Sequence, residues 1–234
     1  MTNPSISVQD VRVEATNAFF RRVYHWMAAG LILTAVAAHW VASSPSMIQT
    51  IYGSPWVLGG LVVAELIFVM VLSWGINRIS TATAMTLFLI YSVLNGVTLS
   101  AVLLVYSRES VFSAFLTSAG MFGAMSIYGL YTKRDLTSWR SFLIMGLWGL
   151  IIGMVINVFW GNGMADLVIS AVGILVFLGL TAYDTQYLRN LGGQLDVEGE
   201  SEMARKLVII GALHLYLDFI NLFLYLLRFF GRRR

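Results

Sequence analysis

The chain has 234 residues, of which 58% are hydrophobic and only 12% are charged, and its formal net charge is +3. This composition excludes a water-soluble globular protein, because one core cannot bury so much apolar surface, and it predicts that a lipid bilayer is the solvent. The absence of cysteine excludes disulfides and thiolate metal sites. The basic residues lie between apolar runs, so the positive charge does not indicate nucleic-acid binding.

The apolar runs predict an all-α polytopic bundle of seven transmembrane helices. A helix needs about 20 apolar residues to cross the bilayer, and the first such run follows a polar N-terminal tail, residues 1–22. Its length and late start favour a membrane anchor over a cleaved signal peptide. The predicted spans form a single transmembrane domain, residues 23–230, followed by a basic tail, 231–234; they are 23–41, 56–74, 82–106, 111–131, 141–160, 167–187 and 207–227.

The distribution of basic residues predicts the orientation of the bundle. With seven spans, the N-terminal tail and every second connection share one side, and these segments hold Arg12, Arg21, Arg22, Arg78, Lys133, Arg134, Arg140, Arg189, Arg205 and Lys206. The connections on the other side hold only Arg108, so the positive-inside rule places the N-terminus in the cytoplasm. Seven full crossings put Arg228 and the basic tail outside, against that rule. A last segment that re-enters would return them, so the side of the C-terminus stays open.

Few ionisable side chains interrupt the spans: Glu65, Asp184, His214 and Asp218. Such groups are costly in the bilayer, face the interior of a bundle and commonly serve ion paths or proton relays. Asp218 lies near the middle of the last span and shares one helix face with Gly211, His214, Asn221 and Tyr225. This polar stripe predicts that the last helix is central.

Asp184 lies near the cytoplasmic end of the sixth span, with Thr181 on the same helix face. Because the last two spans are antiparallel neighbours, they can bring Asp184 and Asp218 together. Two acids that meet in a shielded interior would share one proton near neutral pH and form a pH sensor. Counting at about 1.5 Å per residue leaves Asp218 roughly 10 Å deeper than Asp184, so the contact requires tilt, a kink or a shifted span.

The other polar positions have two interpretations each. Glu65 either belongs to a polar path or is a protonated side chain bonded to an Asn or Ser of a neighbouring helix. His214 either supports the path or packs as a neutral imidazole, and the chain's histidines are too scattered to predict a metal site. Asn95 fits a hydrogen bond between helices better than a path. Small residues of the fourth and fifth spans permit close helix contact, namely Gly120, Gly123, Gly129, Gly149 and Gly153.

Two segments around the aspartates resemble the signature segments of the Bax inhibitor family. They are Thr181-Ala182-Tyr183-Asp184-Thr185-Gln186 and Leu215-Tyr216-Leu217-Asp218-Phe219-Ile220-Asn221-Leu222-Phe223. Residues 121–126, 128–129 and 132–136 resemble the family's fourth span and the loop after it. The likeness covers about 20–231 and is greatest to the bacterial branch, whose members lie in the inner membrane.

The resemblance implies a last helix surrounded by the other six and a pH-sensitive calcium leak. It also implies that Asp184 and Asp218 form a hydrogen-bonded pair that senses protons. In the family, a glutamate and an arginine of the second span help to close the ion path on the cytoplasmic side, and Glu65 matches that glutamate. Arg78 is the nearest candidate for that arginine but lies two positions late, which predicts an altered latch.

The residues and the resemblance together predict a channel rather than an enzyme, with no cofactor, and the resemblance alone implies that calcium is the permeant ion. Two carboxylates supply far fewer than the about six to eight oxygens that Ca²⁺ prefers, so binding to Asp184 and Asp218 would be weak and transient. The partners expected are the bilayer, calcium and protons, with no nucleic acid, and the chain is expected to be monomeric. The acidic residues after the sixth span predict a solvated loop: Asp196, Glu198, Glu200 and Glu202.

Two rival classes differ in what the aspartates do. Intramembrane aspartyl proteases place Tyr-Asp on one helix and Gly-x-Gly-Asp on the next; Tyr183 and Asp184 fit the first pattern, but Asp218 lacks the glycines. The stronger alternative is a membrane interaction protein without transport, which modulates a membrane-bound ATP-dependent protease or a stress response. In that class the N-terminal tail would carry the function.

Overall fold

In a computed structural model of the chain, the structure describes residues 8–194 and 201–233. These residues form eight α-helices and a short 3₁₀ helix, Ile76–Arg78. The helices are α1 Val8–Ala42, α2 Pro45–Tyr52, α3 Pro55–Trp74, α4 Thr81–Val105, α5 Arg108–Tyr131, α6 Trp139–Trp160, α7 Gly163–Gly192 and α8 Glu202–Phe230. All except α2 are long and apolar enough to cross a membrane, which confirms the predicted all-α bundle of seven spans.

The long helices extend beyond the apolar runs that predicted them. Helix α1 begins at Val8, inside the segment assigned to the polar tail, and α8 begins at Glu202 instead of 207. Hydropathy marks only the part of a helix that crosses hydrocarbon, whereas backbone hydrogen bonding continues the helix into the polar boundary. Helix α2 was not predicted at all; it starts at Pro45, a residue suited to the first turn of a helix.

Helix α8 is the core of the bundle, as its polar stripe predicted. It packs against α1, α4, α5 and α7, and its side chains include the fully buried Leu213, Leu215, Tyr216 and Leu222. The expectation of six surrounding helices is corrected, because α3 packs mainly on α4 and α6 mainly on α7. Both outer helices are apolar almost all round, so lipid can solvate the faces that no other helix covers.

At two places in the described residues, a glycine lets its helix approach the backbone of another helix. A Cβ at Gly96 of α4 would collide with the backbone of Thr34 in α1, and a Cβ at Gly129 of α5 would collide with the carbonyl oxygen of Ala182 in α7. The prediction of close contact therefore holds at Gly129. It fails at three other predicted positions, where a Cβ would meet open space: Gly120, Gly123 and Gly149.

The C-terminal segment folds back on the connection between α4 and α5. The Ser107 N–H donates to the carbonyl oxygen of Arg232 over 3.1 Å, and the Arg232 N–H donates to Ser110 Oγ over 2.9 Å. Tyr106 and Arg233 also form an antiparallel bridge. Helix α8 is continuous from Glu202 to Phe230, so the chain leaves the bundle at the end opposite the first turn of this helix, as seven full crossings require.

Candidate functional site

The candidate site lies between α7 and α8, whose register sets which residues meet. Gly211 packs against Leu188, and Gly173 packs against Tyr225. Residue numbers therefore rise along one helix as they fall along the other, and the register places residue 214 opposite Asp184. A small residue at each of these positions lets the two helix backbones approach closely.

Asp184, His214 and Asp218 are brought together by this register. The Nδ1 atom of His214 lies 4.0 Å from Oδ2 of Asp184, and Asp218 follows one helical turn later, about 6 Å along the axis. Asp184 and Asp218 are close enough to interact electrostatically. The offset is thus smaller than the roughly 10 Å from counting within the spans, because both helices are longer than those spans.

Asp218 is the most enclosed acid of the site. It is 4% exposed, and its Oδ2 has no hydrogen-bond partner among the described residues; the same is true of Nδ1 of His214. A carboxylate that is buried without a partner is unfavourable, so a proton or a cation must neutralise it. Among the described residues, no three His, Asp or Glu side chains converge on a point that could hold a metal ion.

Arg140 supplies a positive charge to the site. It lies in the first turn of α6 and acts electrostatically on Asp184, as His214 does. Arg78, the predicted latch candidate, is instead exposed in the 3₁₀ helix after α3. Sequence reasoning assigned Arg140 to topology only, because its distance in sequence from Asp184 gave no sign that they meet.

Gln186 holds the α5–α6 loop, which leads into the helical turn that carries Arg140. Its Oε1 accepts the Leu136 N–H over 2.8 Å, and its Nε2 donates to the carbonyl oxygen of Arg134 over 2.8 Å. Gln186 is buried two residues after Asp184. These two bonds fasten the α5–α6 loop to α7 beside Asp184 and give the glutamine of the signature segment a structural role.

Glu65 lies in a separate polar cluster. It accepts hydrogen bonds from Thr98 Oγ1 over 2.5 Å and from Asn95 Nδ2 over 3.4 Å, both in α4. Asn95 Oδ1 in turn accepts from the hydroxyl of Tyr216 over 3.0 Å, and this hydroxyl lies 2.6 Å from Thr34 Oγ1. The bond between helices expected of Asn95 is present, and the bonds of Glu65 go to α4 rather than to either aspartate.

Two other predicted path residues bond to their own helices. Thr181 Oγ1 donates to the carbonyl oxygen of Phe177 over 2.8 Å, and Asn221 Nδ2 donates to that of Leu217 over 2.8 Å. Asn221 also borders a cavity of about 210 Å³ near the C-terminal end of α8. Of the predicted acidic loop, only Glu202 is described, and it pairs with Lys206 over 3.0 Å; residues 196–200 lie outside the described residues.

A bundle of seven long apolar helices, of which the central one carries a buried acid, defines a multi-pass membrane protein. The family model described as "Inhibitor of apoptosis-promoting Bax1" matches residues 16–234. The chain therefore belongs to the Bax inhibitor family, which confirms the resemblance of the two signature segments.

Bacterial relatives match almost the whole chain. The Escherichia coli K12 protein named "Inner membrane protein YbhL" is 46% identical over 217 residues, which cover 92% of each chain. An uncharacterized protein of Deinococcus radiodurans is 43% identical over 220 residues, covering 94% of this chain and 92% of its own. One of Borreliella burgdorferi is 39% identical over 218 residues, covering 93% of each. None of these names states an activity.

Proposed function

We propose that the chain is a pH-sensitive cation leak channel whose closed state depends on a proton shared by Asp184 and Asp218. The observation that carries the proposal is the buried Asp218 carboxyl group, with one oxygen unpaired, within electrostatic range of Asp184. A purely structural aspartate in a hydrophobic bundle would normally have all its oxygens bonded. This one is kept available for a ligand, which is a proton in the closed state.

The expected sign of the pH response follows from charge. With one proton on the pair, the two carboxyl groups attract each other and hold α7 against α8. Once that proton is lost, two negative charges face each other in a medium of low dielectric and repel. The closed state is then destabilised, so the leak should increase as pH rises.

Calcium fits the path as a permeant ion rather than a stored one. Ca²⁺ prefers about six to eight oxygen ligands, and the two carboxylates leave most of its coordination to water. A weakly bound ion leaves as readily as it enters, which conduction requires.

The same proposal places the channel in a bacterial inner membrane with the N-terminus in the cytoplasm. The name of the Escherichia coli relative supports the location, and the concentration of basic residues on the N-terminal side supports the orientation. Asp184, which is 16% exposed, lies nearer that side than Asp218 and would be reached first from the cytoplasm.

Flux through reconstituted liposomes tests the proposal. Purified protein is placed in vesicles that contain a calcium dye, and dye response is measured from pH 5 to 9, with sodium and potassium dyes as parallel assays. The native protein should leak more calcium at high pH. An asparagine is uncharged at every pH, so neither Asp184→Asn nor Asp218→Asn can develop repulsion between the two side chains. Each variant should therefore leave a low, pH-independent flux.

Asp135→Asn is the matched control. Asp135 is exposed in the α5–α6 loop, where it accepts the Thr137 N–H over 2.8 Å; the bonds from Thr137 lower the pKa of this carboxyl. An asparagine can accept the same bond, so this variant should retain the native pH profile. Flux that is absent at every pH, or that survives unchanged in both aspartate variants, overturns the proposal and favours the interaction protein without transport.

A further inference from the structure

A lateral groove opens toward the membrane and reaches down to α8. Helices α4 and α5 barely contact each other, and between α5 on one side and α1 and α4 on the other lies a cavity of about 400 Å³. Its floor is formed by Phe219, Ile220 and Phe223 of α8. At its mouth, Phe112 is 63% exposed and Phe115 is 44% exposed. Because these helices span the bilayer, lipid is the medium at the mouth.

A polar cavity at one end of the bundle adjoins the groove. This second cavity has a volume of about 390 Å³ and shares Leu103, Arg108 and Val111 with the first. Its remaining walls carry groups suited to the boundary between hydrocarbon and water, including His39, Ser43 and Tyr106. The two adjoining cavities together form one candidate site, with an apolar part at hydrocarbon depth and a polar part at headgroup level.

We propose that this site binds one anionic phospholipid, with an acyl chain in the apolar groove and the phosphate at Arg108. A volume of about 400 Å³ equals about 13 water molecules at roughly 30 Å³ each. A methylene group fills a similar volume, so the groove accommodates most of one acyl chain and not two. Arginine binds phosphate through its planar fork of N–H donors.

The charge of this end of the bundle favours an anionic headgroup over a zwitterionic one. The C-terminal segment lies across the start of α5, where Arg233 pairs with Tyr106 and Arg232 bonds to Ser107 and Ser110. Arg108 thus has two basic neighbours brought from the far end of the chain, which outweigh the one acid in its own helical turn, Glu109. A net negative lipid gains from all of these charges, whereas a headgroup with its own cation gains less.

Native mass spectrometry of the delipidated protein tests the headgroup contact. The protein is titrated with phosphatidylglycerol or with phosphatidylcholine of the same chains, and the bound fraction is measured. The native protein should hold one phosphatidylglycerol in preference to phosphatidylcholine. Arg108→Gln should weaken phosphatidylglycerol binding about tenfold and abolish the preference. Arg134→Gln removes an exposed arginine at the other end of the bundle and should change neither.

A second variant tests the groove separately from the charge. Ala35 lines the groove from α1, so Ala35→Trp should fill it and weaken both lipids. Val36→Trp is the matched control, because Val36 is 60% exposed beside the groove without lining it. Helix content and thermal unfolding are recorded for each variant, and only folded protein is titrated. Equal binding of the two lipids by native protein, or unchanged binding in either Arg108→Gln or Ala35→Trp, overturns the proposal.

Discussion

Polar side chains from four helices form one chain of hydrogen bonds. It runs from Thr34 in α1 through Tyr216 in α8 and Asn95 in α4 to Glu65 in α3. Each member satisfies a polar group that lipid or apolar core would leave unpaired, at a cost that hydrocarbon makes larger. The chain of bonds therefore holds the peripheral helix α3 to the core, in addition to apolar packing.

Removing the hydroxyl at the centre of this chain should destabilise the bundle. Tyr216→Phe keeps the fully buried ring but leaves Asn95 and Thr34 without their shared partner. A buried group left unsatisfied costs about 1–3 kcal/mol, so thermal unfolding in detergent should occur at lower temperature. Tyr131→Phe, at a side chain that is 79% exposed, should leave the transition unchanged. Equal transitions for the two variants would contradict the assignment.

Arg140 should set the pH at which the proposed leak opens. Its positive charge acts on Asp184 and favours the ionised form of the aspartate pair. In Arg140→Gln this positive charge is missing, so the aspartate pair should lose its proton only at a higher pH. The midpoint of calcium flux should therefore move to higher pH in the liposome assay. Arg134→Gln, in the neighbouring loop, should retain the native midpoint. A midpoint that moves to lower pH would assign Arg140 a different role.

The two acids of the site can be identified from the sequence alone, whereas the residues that surround them cannot. Asp184 and Asp218 are conspicuous because a charge within an apolar run is costly wherever the helix lies. Gln186 and Arg140 give no such signal, since a polar residue near a span end needs no explanation. Their bonds and charges meet the site only because the α5–α6 loop folds over α7.

The close contact between α5 and α7 depends on Gly129, and a substitution there tests it. The Cβ of Gly129→Ala would collide with the carbonyl oxygen of Ala182 and push α5 from α7. Overpacking of this kind costs about 1–3 kcal/mol, which should lower the temperature of unfolding in detergent. Gly123→Ala lies on the same helix with open space around it and should be neutral or slightly stabilising. If the two variants unfold alike, the close contact is absent.

Helices were predictable from the chain, but the short α2 was not. Its eight residues, Pro45–Tyr52, carry too few apolar positions for a span. Its last residue anchors it to α4: the Tyr52 hydroxyl accepts the Ala101 N–H and lies 2.9 Å from Ser100 Oγ. A helix of this length is unstable in isolation and depends on tertiary contacts, so its own sequence carries little signal.

The path of the whole chain through the membrane can be tested with single cysteines, since the native chain has none. Arg233 lies at the end of the bundle that holds the α4–α5 connection, and Lys133 lies in the α5–α6 loop at the other end. In intact cells, a maleimide that cannot cross the membrane should label Arg233→Cys and not Lys133→Cys. Lysed cells, in which both should react, provide the control. Labelling of both in intact cells, or of neither, would contradict seven complete crossings with a cytoplasmic N-terminus.

The membrane spans, the central place of α8 and the choice of Asp184 and Asp218 as candidate site residues follow from local composition and helical periodicity. This is because the bilayer penalises every polar group at its depth, whatever the rest of the chain does. The register of α7 on α8, the approach of Arg140, the hydrogen-bonded chain through Tyr216 and the lipid-facing groove depend on residues that are distant in sequence. These features were decided by packing between helices, which depends on matching shapes that no single segment contains.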